Sequence, residues 1–423
     1  MRRSRQARGG TEVLYVSSVA SPAQFAAMKR ARLPDVQEVT YGMPESGFKF
    51  HSLVQRGLLD AGARVHSLVG RSATPLFYRG GWWPRVVEGR GTGLCVDHRA
   101  FPNVRVLKQL WLALSLTLGT LAWRWRTRNA AERLLVVDGA YVSALPGVLL
   151  AGRGIPRIAI FCDVYSFMAD VSDASGHSRS PVHRLARAVL PRVYSGVDGF
   201  VLLTEQMGPV VNRDGRPHIV MEGLVDSRME QAPNLLGEKT DEPTVLYAGA
   251  LRVEYGLQDL VRGFLDSGVA QSLGARLVVY GNGDYAAELR GLAETHPGIE
   301  YRGTAPMEEV VAEEQRMWLL VNPRPVESEF TALSFPSKNM EYLASGTPVL
   351  TTRLPGMPQE YYAHVSTIDV PGPEGVARAL ATELARDPAD LHEQGCAGRD
   401  FVLGEKNENV QARRILDLAA RCR

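Results

Sequence analysis

The stretch Ser334-Phe-Pro-Ser-Lys-Asn-Met-Glu-Tyr-Leu-Ala-Ser-Gly-Thr-Pro-Val-Leu-Thr-Thr352 reads as a short helix running into a buried strand. Pro336 and Ser337 open the helix: proline presets the backbone, and the serine hydroxyl can cap one of the first N–H groups. Gly346 and Pro348 close it, and Val349 to Thr352 has the apolar, β-branched composition of a core strand. Lys338 then falls in the first helical turn, where the helix dipole disfavours a cation. An anion in front of that turn removes the conflict, because backbone N–H groups and the ammonium can share it. Glu341 lies three residues on, along the same face, and suits hydroxyl groups. A phosphate site beside a polyol site meets the needs of a nucleotide sugar. The competing reading is an ordinary surface helix with two solvated charges, and the flanking sequence bears on the choice.

Around this segment the C-terminal half alternates strand and helix. Val245-Leu-Tyr-Ala-Gly249, Arg276-Leu-Val-Val-Tyr-Gly281, Ile299 to Gly303, Trp318 to Asn322 and Pro348 to Thr351 read as strands, with helical spacing between them, as in Leu257 to Leu265. Strands separated by short helices build right-handed βαβ units and a parallel sheet, whose ligands bind at the carboxyl ends of the strands. The N-terminal half is similar in kind. Strands are expected over Val13–Val19, Arg64–Val69, Arg133–Val137, Arg157–Cys162 and Gly199–Leu203, and a helix over Phe48–Ala61. The polar stretch 231–243 is the best linker. The expected organisation is a basic tail over 1–10, an acceptor-binding domain over 11–230, the linker, and a nucleotide-sugar domain over 244–404. A C-terminal helix over 405–423 can return to the first domain. The fold class expected is α/β, with two facing Rossmann-like domains and a cleft between them.

Composition narrows the function. At 423 residues and 45% hydrophobic, the chain can fill two or three cores. Cys95, Cys162, Cys396 and Cys422 form no CxxC pair, which fits a reduced cytosolic compartment and excludes an obvious zinc site. Met1 to Arg8 is basic, but Glu12 and the alternating Val13-Leu-Tyr-Val16 argue against a signal peptide core. The net charge of +2 hides an asymmetry: residues 1–235 carry 30 Lys+Arg against 18 Asp+Glu, whereas 236–423 carry 18 against 28. A basic first domain faces something anionic. Its arginines are spread without an aromatic-interleaved motif, so nucleic acid is not expected and an anionic membrane surface or phosphorylated lipid fits better. Leu107 to Trp125 is the most hydrophobic segment, but its uncharged core of 15 residues is too short to span a bilayer. It is either a buried helix of the first domain or an interfacial one, with Trp111, Trp123 and Trp125 at headgroup level and Arg124, Arg126 and Arg128 behind them.

The ordered series Tyr247-Ala-Gly-Ala-Leu251 with Tyr255-Gly256, Gly281-Asn-Gly283, Val321-Asn-Pro-Arg324, Ser334-Phe-Pro-Ser-Lys338 and Glu341-Tyr-Leu-Ala-Ser-Gly346 resembles glycosyltransferase family 4. More narrowly, it is similar to that family's bacterial exopolysaccharide and capsule glycosyltransferases. Asp198-Gly-Phe-Val-Leu-Leu-Thr-Glu-Gln-Met207 and Val220-Met-Glu-Gly-Leu-Val-Asp226 look like the family's approach to the domain junction. The resemblance implies the GT-B arrangement of two Rossmann-like domains. It also implies a nucleotide sugar held mainly by the second domain, an acceptor on the first, retention of configuration, and no metal or other cofactor. Glu341 matches the second glutamate of the family's Glu-x7-Glu motif, which holds the ribose hydroxyls. The first falls at Leu333, which leaves Glu327 or Glu329 in the preceding loop to substitute. The basic pair usual after the first strand of the second domain is altered too: Ala250 takes one place and Arg252 lies two on.

The donor-binding residues expected on this basis are Gly249, Ala250, Arg252, Gly281, Gly283, Gly303, Glu329, Ser337, Lys338 and Glu341. A nucleoside diphosphate leaves only when its growing charge is matched, and with no Asp-x-Asp motif that duty falls to Arg252, Lys338 and backbone near Gly249. Asp163, at a strand's carboxyl end, and His51, at a helix start, are the expected catalytic groups of the first domain, with Asp138 behind them. The expected activity is transfer of a sugar, from a UDP-sugar first, to a lipid-linked saccharide during cell-surface polysaccharide synthesis. The expected place is the cytoplasm, peripheral on the inner face of the plasma membrane. Two other readings share the fold: a sugar-nucleotide 2-epimerase, which needs no acceptor, and a non-catalytic partner in polysaccharide assembly. A dinucleotide oxidoreductase is disfavoured, since no Gly-x-Gly-x-x-Gly follows Val13 to Val19.

Overall fold

The structure, a computed structural model, describes residues 10–33, 45–73, 78–162, 194–326 and 331–423. It divides into two units, residues 1–221 with 408–423, and residues 222–407.

The first unit is built on an eight-stranded sheet. Its strands are β1 (Glu12–Ser17), β2 (Arg64–Val69), β4 (Val86–Glu88), β5 (Leu94–His98), β7 (Arg133–Asp138), β8 (Arg157–Phe161), β9 (Gly199–Leu202) and β10 (His218–Val220), in the spatial order β10-β9-β8-β7-β1-β2-β5-β4. All neighbours run parallel except β4, which pairs antiparallel with β5 at the edge. A two-stranded ribbon, β3 (Trp82–Trp83) with β6 (Phe101–Pro102), stands apart. The central strands are apolar throughout: Val13, Leu14, Tyr15 and Leu135 to Val137 are fully buried, as strands covered on both faces must be. Chain order reverses at β1, which has β2 on one side and β7 on the other.

The helix Glu408–Arg421 belongs to this unit and packs on the helix Glu45–Asp60. The approach is close enough that a Cβ on Gly57 would lie 2.1 Å from the Glu408 carbonyl oxygen. Arg56 Nε donates to Glu408 Oε1 at 3.1 Å, and the glutamate side chain is almost fully buried.

The second unit holds a six-stranded, all-parallel sheet of β11 (Thr244–Ala248), β12 (Arg276–Tyr280), β13 (Ile299–Gly303), β14 (Leu319–Asn322), β15 (Val349–Thr352) and β16 (Ser366–Ile368), in the order β13-β12-β11-β14-β15-β16. Its core centres on Val245, Tyr247, Leu277, Val279, Leu319 and Val321, covered by Leu260 and Phe264 of the helix Leu257–Asp266. Chain order reverses between β11 and β14. The division between units falls at Met221, ahead of the expected linker, and residues 231–243 belong with the second unit. The helix Ala286–Thr295 follows β12, and the strand β16 is not among those expected from the sequence.

Candidate active site

In each sheet the loops that follow the two strands flanking the reversal diverge, and ligands of open parallel sheets bind there. In the second unit those loops begin at Gly249 after β11 and at Pro323 after β14.

The helix Ser337–Ser345 delivers Lys338 to this point. Pro336 is its N-cap, and no side chain caps it: Ser337 is exposed and is not the cap expected from sequence. Asn339, fully buried, ties the helix start to the sheet; it accepts from Asn322 Nδ2 at 2.7 Å and donates to Thr351 Oγ1 at 3.2 Å. Tyr342 clasps the end of β11, accepting from Ala248 N at 2.8 Å and donating to Ala248 O at 3.2 Å.

With the helix so held, Lys338 turns inward. Its ammonium donates to the Ala248 carbonyl and lies 5.7 Å from the centre of the Tyr247 ring. Gly249 has the lysine where a side chain would be: a Cβ there would fall 1.8 Å from Nζ. Burial pushes the Lys338 pKa below its ordinary value, with Glu341 and Glu314 opposing the shift. A desolvated ammonium held by a carbonyl and a ring face has capacity left for an anion. Lys338 is therefore more enclosed than an exposed helix start suggests. Glu341 sits half-buried on the same helix.

A second desolvated cation, Arg324, sits at the end of β14 and was read only as part of a motif. Its guanidinium lies 5.3 Å from the centre of the Tyr255 ring, and its pKa is lowered by burial, with Tyr255, Tyr247 and Glu254 opposing. The signal for it was Asn322-Pro-Arg324 directly after an apolar strand. Arg252 lies over the other contact of Tyr255, 5.8 Å from the ring centre, and pairs with Glu254 at 2.9 Å.

The glycines act through packing. A Cβ on Gly281 would fall 1.7 Å from the Gly249 carbonyl, and one on Gly283 would fall 2.0 Å from that of Leu251. Both therefore let the loops after β11 and β12 lie side by side, with Leu251 N donating to Asn282 O at 3.0 Å. Gly303 accepts from Gly281 N at 2.7 Å, two strands away from Lys338. Ala250 is exposed, and its carbonyl accepts from the Tyr247 hydroxyl at 2.9 Å. Glu327 and Glu329 lie outside the described residues.

The matching point of the first unit lies between β1 and β7. His51 is buried there; its Nδ1 shares a 2.6 Å hydrogen bond with the Tyr15 hydroxyl, and Nε2 lies 3.9 Å from Cys162 Sγ. Asp138 ends β7 and accepts from Ala140 N at 3.1 Å and Ser18 Oγ at 3.5 Å. Burial dominates all three groups. It lowers the His51 pKa, with Asp138 opposing, and it raises those of Asp138 and Tyr15. Asp163 lies outside the described residues. Among the described residues no group of three or more His, Cys, Asp or Glu is placed to hold a metal ion.

Comparison with known proteins bears on this geometry. Residues 242–386 match the family described as Glycosyl transferases group 1. The chain carries a glycosyltransferase domain. The enzyme class read from the sequence rests on that match, and Lys338, Arg324, Arg252 and Glu341 of the glycosyltransferase domain all lie within the matched residues. No curated protein matches the sequence.

Among solved structures, the sucrose-phosphate synthase of Thermosynechococcus elongatus superposes with a TM-score of 0.60 at 16% identity, over 97% of this chain and 98% of that one. A UDP-forming α,α-trehalose-phosphate synthase from Burkholderia xenovorans gives 0.60 at 11%, over 97% and 99%. Trehalose-6-phosphate from E. coli bound with UDP-2-fluoro glucose, as that structure is described, gives 0.59 at 12%, over 96% and 99%. These likenesses show the GT-B fold, with the two Rossmann-like units expected from the sequence.

Proposed function

We propose that the protein is a retaining glycosyltransferase of the family 4 type that moves a sugar from a nucleoside diphosphate sugar to a lipid-linked saccharide in cell-surface polysaccharide synthesis. It works without a metal ion, on the cytoplasmic face of the plasma membrane. The observation that carries this reading is the pairing of two desolvated cations, Lys338 and Arg324, around the reversal point of the second sheet, beside a glycine and an uncapped helix start.

The chemistry follows from that arrangement. As the bond between the anomeric carbon and the diphosphate oxygen breaks, negative charge grows on the leaving oxygen. Fixed cations and helix N–H groups match it without reorganising. The acceptor hydroxyl bonds to the anomeric carbon on the same face, and its proton passes to the departing phosphate, so a strong side-chain base is not needed. Glu341 holds the ribose hydroxyls, as two acceptor oxygens of a carboxylate can. UDP is the first nucleotide to try, because two of the similar structures are described as UDP-forming or as bound to a UDP-sugar.

Calorimetry of the full chain with UDP, GDP, ADP and TDP, each in EDTA and again with Mg²⁺, tests the donor half. We expect one nucleotide to bind in EDTA, with affinity changed less than about threefold by Mg²⁺. Failure of all four to bind would remove the proposal, and binding only with metal would remove its metal-free part. Product analysis with the bound nucleotide's sugar but no acceptor separates transfer from 2-epimerisation, since an epimerase converts the nucleotide sugar alone.

A further inference from the structure

We infer that the helix Arg105–Arg126 of the first unit is a bilayer-docking device, made of an apolar ridge beside a basic hollow for anionic lipid headgroups. This deepens the membrane part of the reading above and rests on it.

The helix has two apolar faces. Leu112, Leu116 and Trp123 are fully buried in the unit. Of the three tryptophans that the interfacial alternative sets at headgroup level, Trp123 is buried and Trp111 and Trp125 are exposed. On the opposite side Leu110, Leu114, Leu118 and Trp125 recur at steps of four, four and seven residues and are 66%, 59%, 55% and 67% exposed. Leu107, Trp111 and Leu121 extend the row, and exposed Trp82 meets Trp111 edge-on at 5.6 Å. A continuous exposed ridge of this kind is a docking surface rather than scattered apolar residues. No described helix is long and apolar enough to cross a membrane, so the ridge meets a bilayer lying flat.

Charge complementarity selects the occupant. The sequence holds no Asp or Glu from His98 to Ala131, while Arg124, Arg126 and Arg128 crowd the end of the ridge. Arg128 lies 4.6 Å from the centre of the Trp125 ring. Beside Leu118 and Trp125 opens a hollow of about 440 Å³ lined by Arg85, Arg99, Arg126 and His66. Asp97 also lines it and is held by Arg85 at 2.7 Å and Arg99 at 2.9 Å, so three guanidinium groups face one carboxylate. A phosphate headgroup seated there places its acyl chains along the ridge. A second copy of the chain would bring the same positive charge to the same place and be repelled.

The test is co-sedimentation of the full chain with phosphatidylcholine vesicles and with phosphatidylcholine–phosphatidylglycerol vesicles, without sugar nucleotide. The wild type should bind the anionic vesicles and release in high salt. The variant Leu110→Ser/Leu114→Ser/Trp125→Ser should lose at least about tenfold, and Arg126→Glu at least about threefold. Both should keep wild-type UDP affinity, which reports an intact second unit, and wild-type far-UV circular dichroism. Equal binding of wild type to neutral and anionic vesicles, or undiminished binding by the triple variant, overturns the inference. So does a wild-type dimer that the triple variant turns to monomer while neither binds vesicles. Vesicle binding without any nucleotide binding would instead sink the donor reading and leave the docking device standing.

Discussion

The two reversal points share a topology and differ in chemistry. Between β1 and β7, burial drives three described groups toward their neutral forms: His51 down, Asp138 and Tyr15 up, with Tyr15 and His51 sharing a hydrogen bond. Between β11 and β14, the groups are cations: Lys338 lies against the Ala248 carbonyl and the Tyr247 ring and Arg324 against the Tyr255 ring, and burial lowers both while Glu341, Glu314 and Glu254 oppose the shift. A neutral cluster of that kind can hold or exchange a proton but cannot hold a diphosphate. The cationic one can bind a diphosphate but has little to offer as a base. The fold supplies the location twice, and residue choice divides the labour.

The contrast breaks most directly at Lys338. Lys338→Ala should weaken nucleotide binding by about 10–100-fold, since a hydrogen bond to a charged group contributes about 1.5–3 kcal/mol. Gly249→Ala, which keeps the charge but puts a methyl where the ammonium lies, should cost at least about tenfold. His51→Leu should leave nucleotide binding unchanged. Calorimetry on the three variants decides: if His51→Leu and Lys338→Ala lose equal affinity, the division of labour is wrong.

His51 gives a smaller, pH-dependent effect. Its folded pKa is lowered, so below about pH 6.5 the unfolded chain takes up a proton that the folded one refuses. Wild-type stability therefore falls as pH drops through that value. His51→Leu lacks this contribution, while His66 and His98 cancel between the two proteins. Thermal melts from pH 8 to 5 should show the variant gaining on wild type by up to about 1.4 kcal/mol per pH unit below 6.5. A gap that widens against the variant on acidification would mean that Asp138 keeps His51 charged.

The smallest effect is expected at Ser337. Because Pro336 is the cap and the serine is exposed, Ser337→Ala should change stability by less than about 0.5 kcal/mol. A loss near 1 kcal/mol in denaturant titration would restore the cap read from sequence.

What could be read from the sequence tracks how local the cause is. The strands β11, β12 and β15 and the helix before β15 were legible because each carries its own apolar run and its own glycine or proline stop. The inward turn of Lys338 was not, since it depends on Ala248, Tyr247 and Gly249, some ninety positions away. Arg324 was visible only as a motif, because the ring it lies over, Tyr255, is far from it in the sequence. The glycines after β12 were expected at the donor, but the structure gives them a packing reason in the carbonyls of Gly249 and Leu251. The helix Arg105–Arg126 shows the limit of hydropathy, which counts apolar residues without saying which of two apolar faces meets the core. The edge strand β4 and the ribbon of β3 and β6 are too short to leave a periodic trace.

The helix Glu408–Arg421 closes the first unit with residues that follow the whole of the second. At a ribosome adding about 5–20 residues per second, residues 222–407 take roughly ten to forty seconds to emerge. Throughout that interval the helix Glu45–Asp60 waits without the neighbour that packs against Gly57. The second unit, contiguous in sequence, needs no such wait. Birth order thus inverts folding order: the second unit can finish first, and the first unit closes only once residues 408–421 have emerged.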